Sequence, residues 1–167
     1  PPSLPEEYVK KGCVTMNKLK AFIGIDPGKD GAVAVLPDGE MPVIEDYPGD
    51  PGRAADLLRN LDFEYNIRLV ALESVSAMPK QGVSSTFKFG VNFGIWQGLL
   101  AGFSWPYLLP RPTEWQKGLV RKSDGADAKS RSLAVAKRLF PNVDLSRKKD
   151  HGRADALLLA WWAKKQV

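Results

Sequence analysis

KAFIGIDPGKDGAVAVLPDGEMPVIED, residues Lys20–Asp46, holds three short apolar runs separated by two clusters of turn-forming residues. KAFIGID reads as a strand that ends on Asp26, GAVAVL as a second strand and MPVIED as a third, with PGKDG and PDGE as the turns. Three consecutive strands joined by tight turns make an antiparallel meander. Asp50 and Pro51 then supply an N-cap and a first helical residue for the run RAADLLRNL. RLVALES, residues 68–74, has the β-rich, uninterrupted apolar character of a strand buried on both faces, and it ends at Glu73.

The second half alternates in the same way. TFKFGVNFGIWQGLLAG, residues 86–102, is a long apolar helical segment in which Gly90, Gly94, Gly98 and Gly102 recur every four residues. Each glycine costs a helix roughly 1 kcal/mol relative to alanine, so the spacing implies a close backbone approach along one face. Packing onto the sheet and a dimer seam are both open at this stage. WPYLLP is a fifth short strand, and Pro112 opens a helix over TEWQKGL. Residues 126–140 form a basic amphipathic helix with Leu133, Ala136 and Leu139 turned inward, and a last helix runs from about Gly152 to Lys165. The order βββαβαβ followed by helices is an α/β fold with a five-stranded sheet of mixed direction, flanked by helices. Residues 1–19 show no periodicity and read as a flexible arm or an expression remnant; residues 20–167 read as one domain.

Composition narrows the class. Hydrophobic residues are 44% and charged residues 26% of the 167, which is ordinary for a globular domain and argues against disorder. No apolar run approaches the roughly 20 residues that span a bilayer, and no secretory signal pattern opens the chain. A single cysteine, Cys13, excludes an intramolecular disulfide and a thiolate zinc cage, so a reducing compartment is expected. The net charge of +5 is unevenly placed: residues 20–73 carry 5 Lys/Arg against 11 Asp/Glu, and residues 111–149 carry 11 against 4. A polyanion-binding surface beside an acidic region is the expected consequence.

The acidic region has its own logic. Asp26 and Glu73 each close a strand, where α/β sheets place their sites, and a return strand beside the first would bring the two ends together. Asp155 lies in the first turns of RKKDHGRADALLLAWW, residues 147–162, a helix otherwise plainly buried, and an unpartnered carboxylate there would be costly. Asp150 precedes that helix and, as a loop or N-cap residue, could fold back toward the same place. Gly152 leaves room for an ion or a phosphate. His151 is a candidate for a supporting role. Hard oxygen ligands without a cysteine cluster point to Mg²⁺, with Mn²⁺ as a substitute. Four carboxylates on two ions define in-line hydrolysis of a phosphodiester, with the ions roughly 3.5–4 Å apart. Lys88, Lys117, Arg121, Lys122, Lys129, Arg131, Lys148, Lys149 and Arg153 are the candidates for contacting nucleic-acid phosphates.

IGIDPG at 23–28, LES at 72–74 and ADALLLA at 154–160 resemble the RuvC-type Holliday junction resolvases of the ribonuclease H-like superfamily. RKKDHGRADALLLA, PKQG at 79–82 and FGVNFGIWQGLLAGF at 89–103 are similar to segments of the chloroplast-type branch, and the resemblance covers residues 20–165. It implies a ribonuclease H-like fold and a homodimer that binds a four-way DNA junction and cuts two opposing strands symmetrically with Mg²⁺. It implies that Asp26, Glu73, Asp150 and Asp155 hold two ions per site, with Asp150 taking an acidic position that in bacterial members stands where Gly152 is here. Lys80 and Gln81, in the loop after Glu73, become candidates for contacting bases. Cytoplasm of a bacterial or phage-infected cell, or an organellar nucleoid, would suit such a protein; a membrane would not. Three rival readings remain. A nuclease of the same fold acting on other branched or hybrid nucleic acids is one, and a junction-binding module without catalysis is another. An actin-like nucleotide-binding protein shares the hairpin but needs two such domains.

Overall fold

The computed structural model describes residues 18–74, 82–147 and 149–167. In chain order these form β1 (Leu19–Asp26), β2 (Ala32–Pro37), β3 (Val43–Asp46), α1 (Pro51–Glu64), β4 (Tyr65–Leu72) and α2 (Val83–Gly102). β5 (Tyr107–Leu108), α3 (Pro112–Trp115), a 3-10 turn at Lys122–Asp124, α4 (Ala128–Leu139) and α5 (His151–Lys164) follow. The strands form one sheet in the order β3-β2-β1-β4-β5, with β1 antiparallel to β2 and parallel to β4. The meander over Lys20–Asp46 is present as read, and Gly39 takes the left-handed conformation (φ 79°) that its turn requires. Asp50 caps α1 by accepting from the Arg53 amide at 2.9 Å.

Helices cover both faces of the sheet. Ala21, Ile23 and Ile25 of β1 pack with Leu58 of α1 and Trp96 and Leu100 of α2. Phe22 faces the other way, into a core with Val135 of α4 and Leu157, Leu158 and Leu159 of α5. The two-residue period of a strand therefore sends Asp26, like Phe22 and Gly24, to the α5 face. Glu73 reaches that same face because of an irregularity in β4. Ala21 is opposite Ile67 but Phe22 is opposite Leu69, so Arg68 is an extra residue in the ladder. Tyr65 and Ile67 accordingly pack on the α1/α2 side, whereas Leu69 and Ala71 pack on the α5 side. Ile25 is opposite Leu72, and the Glu73 amide donates to the Ile25 carbonyl at 3.0 Å, which carries the register on to Asp26 and Glu73. Without the bulge, a one-residue slip would turn Glu73 to the opposite face.

α5 lies almost directly on β1. A Cβ built on Gly24 would stand 1.9 Å from the Ala156 carbonyl oxygen and 2.4 Å from the Ala160 amide nitrogen. At the helix start, a Cβ on Gly152 would meet the Asp30 carbonyl oxygen at 2.1 Å. The space beside Gly152 is thus filled by the β1–β2 turn; it is not left for an ion or a phosphate.

Two further expectations need correction. Leu139 is 37% exposed, and the buried side of α4 is formed instead by Ser132, Val135 and Ala136, with Leu133 half-buried. The helix begun by Pro112 lasts a single turn. The glycine stripe of α2 does not pack on the sheet: among the described residues, a Cβ on Gly90, Gly94, Gly98 or Gly102 would meet nothing within 4 Å.

Gly24→Ala is expected to destabilise the protein by about 2–3 kcal/mol or more, because backbone atoms of α5 cannot yield as a flexible side chain would. A urea melt that matches wild type would show that α5 does not lie as close to β1 as described.

Candidate active site

Asp26, Glu73 and Asp155 meet at the carboxyl end of β1 and β4, on the face covered by α5. Their charges act on one another. Burial raises the Glu73 carboxyl to about 7, opposed by a hydrogen bond from Trp115 and reinforced by the charge of Asp26. Burial raises Asp155 to about 8, opposed by Ser132 and Lys129 and reinforced by Asp26 and Glu73. Asp26 is raised as well, by burial above all, while the Gly28 amide, His151 and Lys129 pull it down and Asp30 pushes it up. Each of the three is crowded by protein yet keeps a solvent-reachable edge, as groups lining a cleft do.

Each carboxylate has a local holder. The Gly28 amide donates to Asp26 Oδ1 at 2.9 Å, and Trp115 Nε1 donates to Glu73 Oε1 at 2.9 Å. Trp115 is completely buried, so its indole is a rigid donor. Asp155 Oδ1 is buried with no hydrogen-bond partner. Three mutually repelling carboxylates with raised proton affinity are short of positive charge, which fits a divalent cation on hard oxygen donors. As placed, no group of three or more His, Cys, Asp or Glu side chains among the described residues is close enough to hold one ion. An ion would therefore have to draw these carboxylates inward.

The structure does not bring Asp150 to this group. Its side chain is 1% exposed, with Oδ2 accepting from the Arg147 amide and Oδ1 from Arg147 Nε, both at 2.7 Å. Arg147 continues to Asp46 at the end of β3, with two bonds of 2.9 and 3.0 Å, and Arg153 Nε joins Asp46 from α5. These two arginines hold the Asp46 carboxyl far below the usual carboxylate range. Asp150 is thus the inner anchor of an ionic clamp that ties the start of α5 to β3. It stands at the N-cap position without capping through its side chain. His151, the next residue, acts on Asp26 along with Lys129 and Asp30.

Of the basic candidates, Lys129 at the start of α4 is the one that acts on both Asp26 and Asp155. Lys88, Lys117, Arg121 and Lys122 are exposed, and Arg131 is half-buried. Arg153 and Lys149 both face Asp46, at 2.5 and 3.9 Å, so their charge is already shared with a carboxylate. Lys80, Gln81 and Lys148 lie outside the described residues. Trp115 and Ser132 were missed by sequence reasoning. Nothing in the motifs marks them; only a buried aromatic with a polar edge and a serine on the inner face of an amphipathic helix could have drawn notice.

No protein-family model matches the chain. Its fold is the ribonuclease H-like one of Thermus thermophilus RuvC. The structure of that protein in complex with a Holliday junction substrate superposes with a TM-score of 0.58 at 17% identity, covering 87% of this chain and 91% of that one. A second Thermus thermophilus RuvC structure gives 0.56 at 20% identity, over 86% and 92%. In sequence, the chain is 39% identical over 88 residues to the chloroplastic Holliday junction resolvase MOC1 of Chlamydomonas reinhardtii. Those residues are 52% of this chain and 10% of that relative's length. The expected resemblance to the RuvC-type resolvases is borne out, in fold by the RuvC structures and in sequence over about half of the chain.

The raised carboxyls have a measurable consequence. In the native state Glu73 and Asp155 keep their protons to about 7 and about 8, whereas the unfolded chain releases them near about 4. Across that window the native state binds more protons, so the metal-free protein loses stability as pH rises. Asp155→Asn cannot ionise, and in EDTA its melting temperature should overtake wild type progressively between roughly pH 5 and pH 8. Added Mg²⁺ should favour wild type instead, since only it gains from binding the ion. A calorimetric Tm difference that is flat with pH would contradict the raised proton affinity that burial gives these groups.

Proposed function

We propose that the chain is a structure-selective DNA endonuclease that resolves four-way junctions by hydrolysing phosphodiesters in two opposing strands. The observation that carries this reading is the meeting of Asp26, Glu73 and Asp155 on one face at the end of β1 and β4, in the fold of RuvC. A relative described as a Holliday junction resolvase supports the choice of substrate, and the basic surface of residues 111–149 suits a polyanion.

Asp26, Glu73 and Asp155 would hold divalent ions, Mg²⁺ in the first instance. When bound, such ions lower the pKa of the attacking water and stabilise the leaving oxygen. The chain's own residues do the rest. Gly28 and Trp115 each hold one oxygen of Asp26 and Glu73, which would leave the other oxygen of each free to turn toward an ion. Lys129 offsets the charge of a phosphate brought against the acidic face. We assign His151, whose charge acts on Asp26, the fourth functional position that the resemblance gave to Asp150; there it would exchange a proton with the attacking water. Asp150 keeps α5 seated through Arg147.

Two copies acting together would cut opposing strands. α2 offers the surface for this pairing. Its inner face carries Trp96 and Leu100, while Val83 (87% exposed), Phe87 (72%) and Val91 (46%) share the outer face with the uncovered glycines. Exposed apolar side chains beside bare backbone make a seam that a second helix can approach closely.

Three expectations follow from these assignments. Asp26→Asn should lower junction cutting by roughly a thousandfold or more while junction binding in gel shift persists; retained cutting would remove Asp26 from the chemistry. His151→Ala should slow cutting in single-turnover assays much more than Asp150→Asn, which should instead lower Tm. The reverse order would return Asp150 to the site. Gly94→Leu leaves the protomer fold untouched, because nothing stands near a Cβ there, and should yield monomers in light scattering; an active dimer would exclude α2 as the seam.

A further inference from the structure

Across the end of the sheet from the three carboxylates lies a cavity of about 500 Å³ that the proposed chemistry does not use. It adjoins the site covalently, since Pro27 of its wall follows Asp26. Its other walls come from the segment after β3 and from the inner face of α2, so it sits on the α2 side while Glu73 and Asp155 sit on the α5 side. The Asn92 side-chain amide donates to the Pro27 carbonyl and ties α2 to the β1–β2 turn. The cavity is therefore fixed in position relative to Asp26.

Its lining is chemically selective. The rings of Tyr47 and Phe89 provide flat apolar walls, and the Tyr47 ring is itself braced against Trp96 with centroids 6.0 Å apart. Lys29 and Lys88 line it too, and among the described residues no carboxylate is part of the lining, although the charge of Asp50 reaches Tyr47. A volume of this size lies within the range of pockets that enclose small ligands. Aromatic walls with flanking cations are the features by which proteins stack a single-stranded base and neutralise its phosphate. A paired base cannot enter, because its partner and neighbours would have to come with it. An unpaired one can, and extrusion costs least where stacking is already interrupted, as at a branch point.

We propose that this cavity takes one unpaired nucleotide of the DNA strand being cut, its base against Tyr47 and Phe89 and its phosphate beside Lys29 and Lys88. The inference rests on the reading of the chain as a DNA junction nuclease and adds a specific contact to it. Capture of a base on one side of Asp26 holds the neighbouring phosphodiester over the carboxylates on the other. The cavity is thus a positioning site for the scissile bond.

The test is a coupling measurement between one base and one ring. Junctions carrying a single abasic residue at successive positions around the mapped cut are titrated with wild type and with Phe89→Ala, in Ca²⁺ to slow cutting. Loss of a base stacked on an aromatic side chain should weaken wild-type binding roughly 5- to 150-fold at one position. At that same position the Phe89→Ala protein should lose nothing further. Phe89 is only half-buried, and matching circular dichroism spectra check its fold; Lys88→Ala, an exposed change, should reproduce a smaller part of the loss. If abasic and Phe89→Ala penalties simply add at every position while intact junctions are still bound and cut, the cavity holds no base and the inference is overturned. If wild type prefers junctions to duplex in neither binding nor cutting, the nuclease reading itself falls, and the nucleotide site with it.

Discussion

The contact on which the site depends is the one between Gly24 and the backbone of α5. With no side chain at residue 24, the Ala156 carbonyl and Ala160 amide come within reach of β1 itself, and Gly152 lets the helix start close on the β1–β2 turn in the same way. A helix held one side chain further off would leave Asp155 out of range of Asp26 and Glu73. The cost of closeness is a row of buried carboxylates: burial above all, and then their charges on one another, raises Glu73 to about 7 and Asp155 to about 8. Packing fixes these groups against their electrostatic preference, which is how a protein prepares a site for a cation.

A second ionic system lies a turn away and has the opposite character. Arg147 bridges Asp150 and Asp46, and Arg153 adds to Asp46, so positive and negative groups there satisfy each other within the chain. The contrast separates two carboxylates that the resemblance had grouped together. Asp155 is left with an unpartnered oxygen, whereas both oxygens of Asp150 are taken. An acidic residue already neutralised by an arginine has little affinity left for an ion, and its removal would leave Arg147 held by Asp46 alone and loosen the helix start.

Much of this was legible in the residues. The meander, the strand-end positions of Asp26 and Glu73, the Asp50 cap and the buried run after Asp155 all rest on local periodicity and turn chemistry, and these are short-range properties of a sequence. What was not legible depends on tertiary placement. The bulge at Arg68 that turns Glu73 toward Asp26 has no local signature, and the arginine that claims Asp150 also reaches Asp46, 101 residues away. The indole of Trp115 reaches Glu73 across a separation of 42 residues. The glycines divided in a telling way. Those of α2 lie bare on the surface of the protomer, while Gly24 and Gly152, which carry no helical spacing, are the ones that admit another backbone.

Anomalous diffraction from crystals of the protein soaked with Mn²⁺ tests the central claim most directly. The account predicts density for the ion among the carboxylates of Asp26, Glu73 and Asp155, with Asp150 still joined to Arg147. An ion seated instead on Asp150 and Asp46, with Arg147 displaced, would contradict it, as would crystals that bind no manganese among the three at saturating concentration.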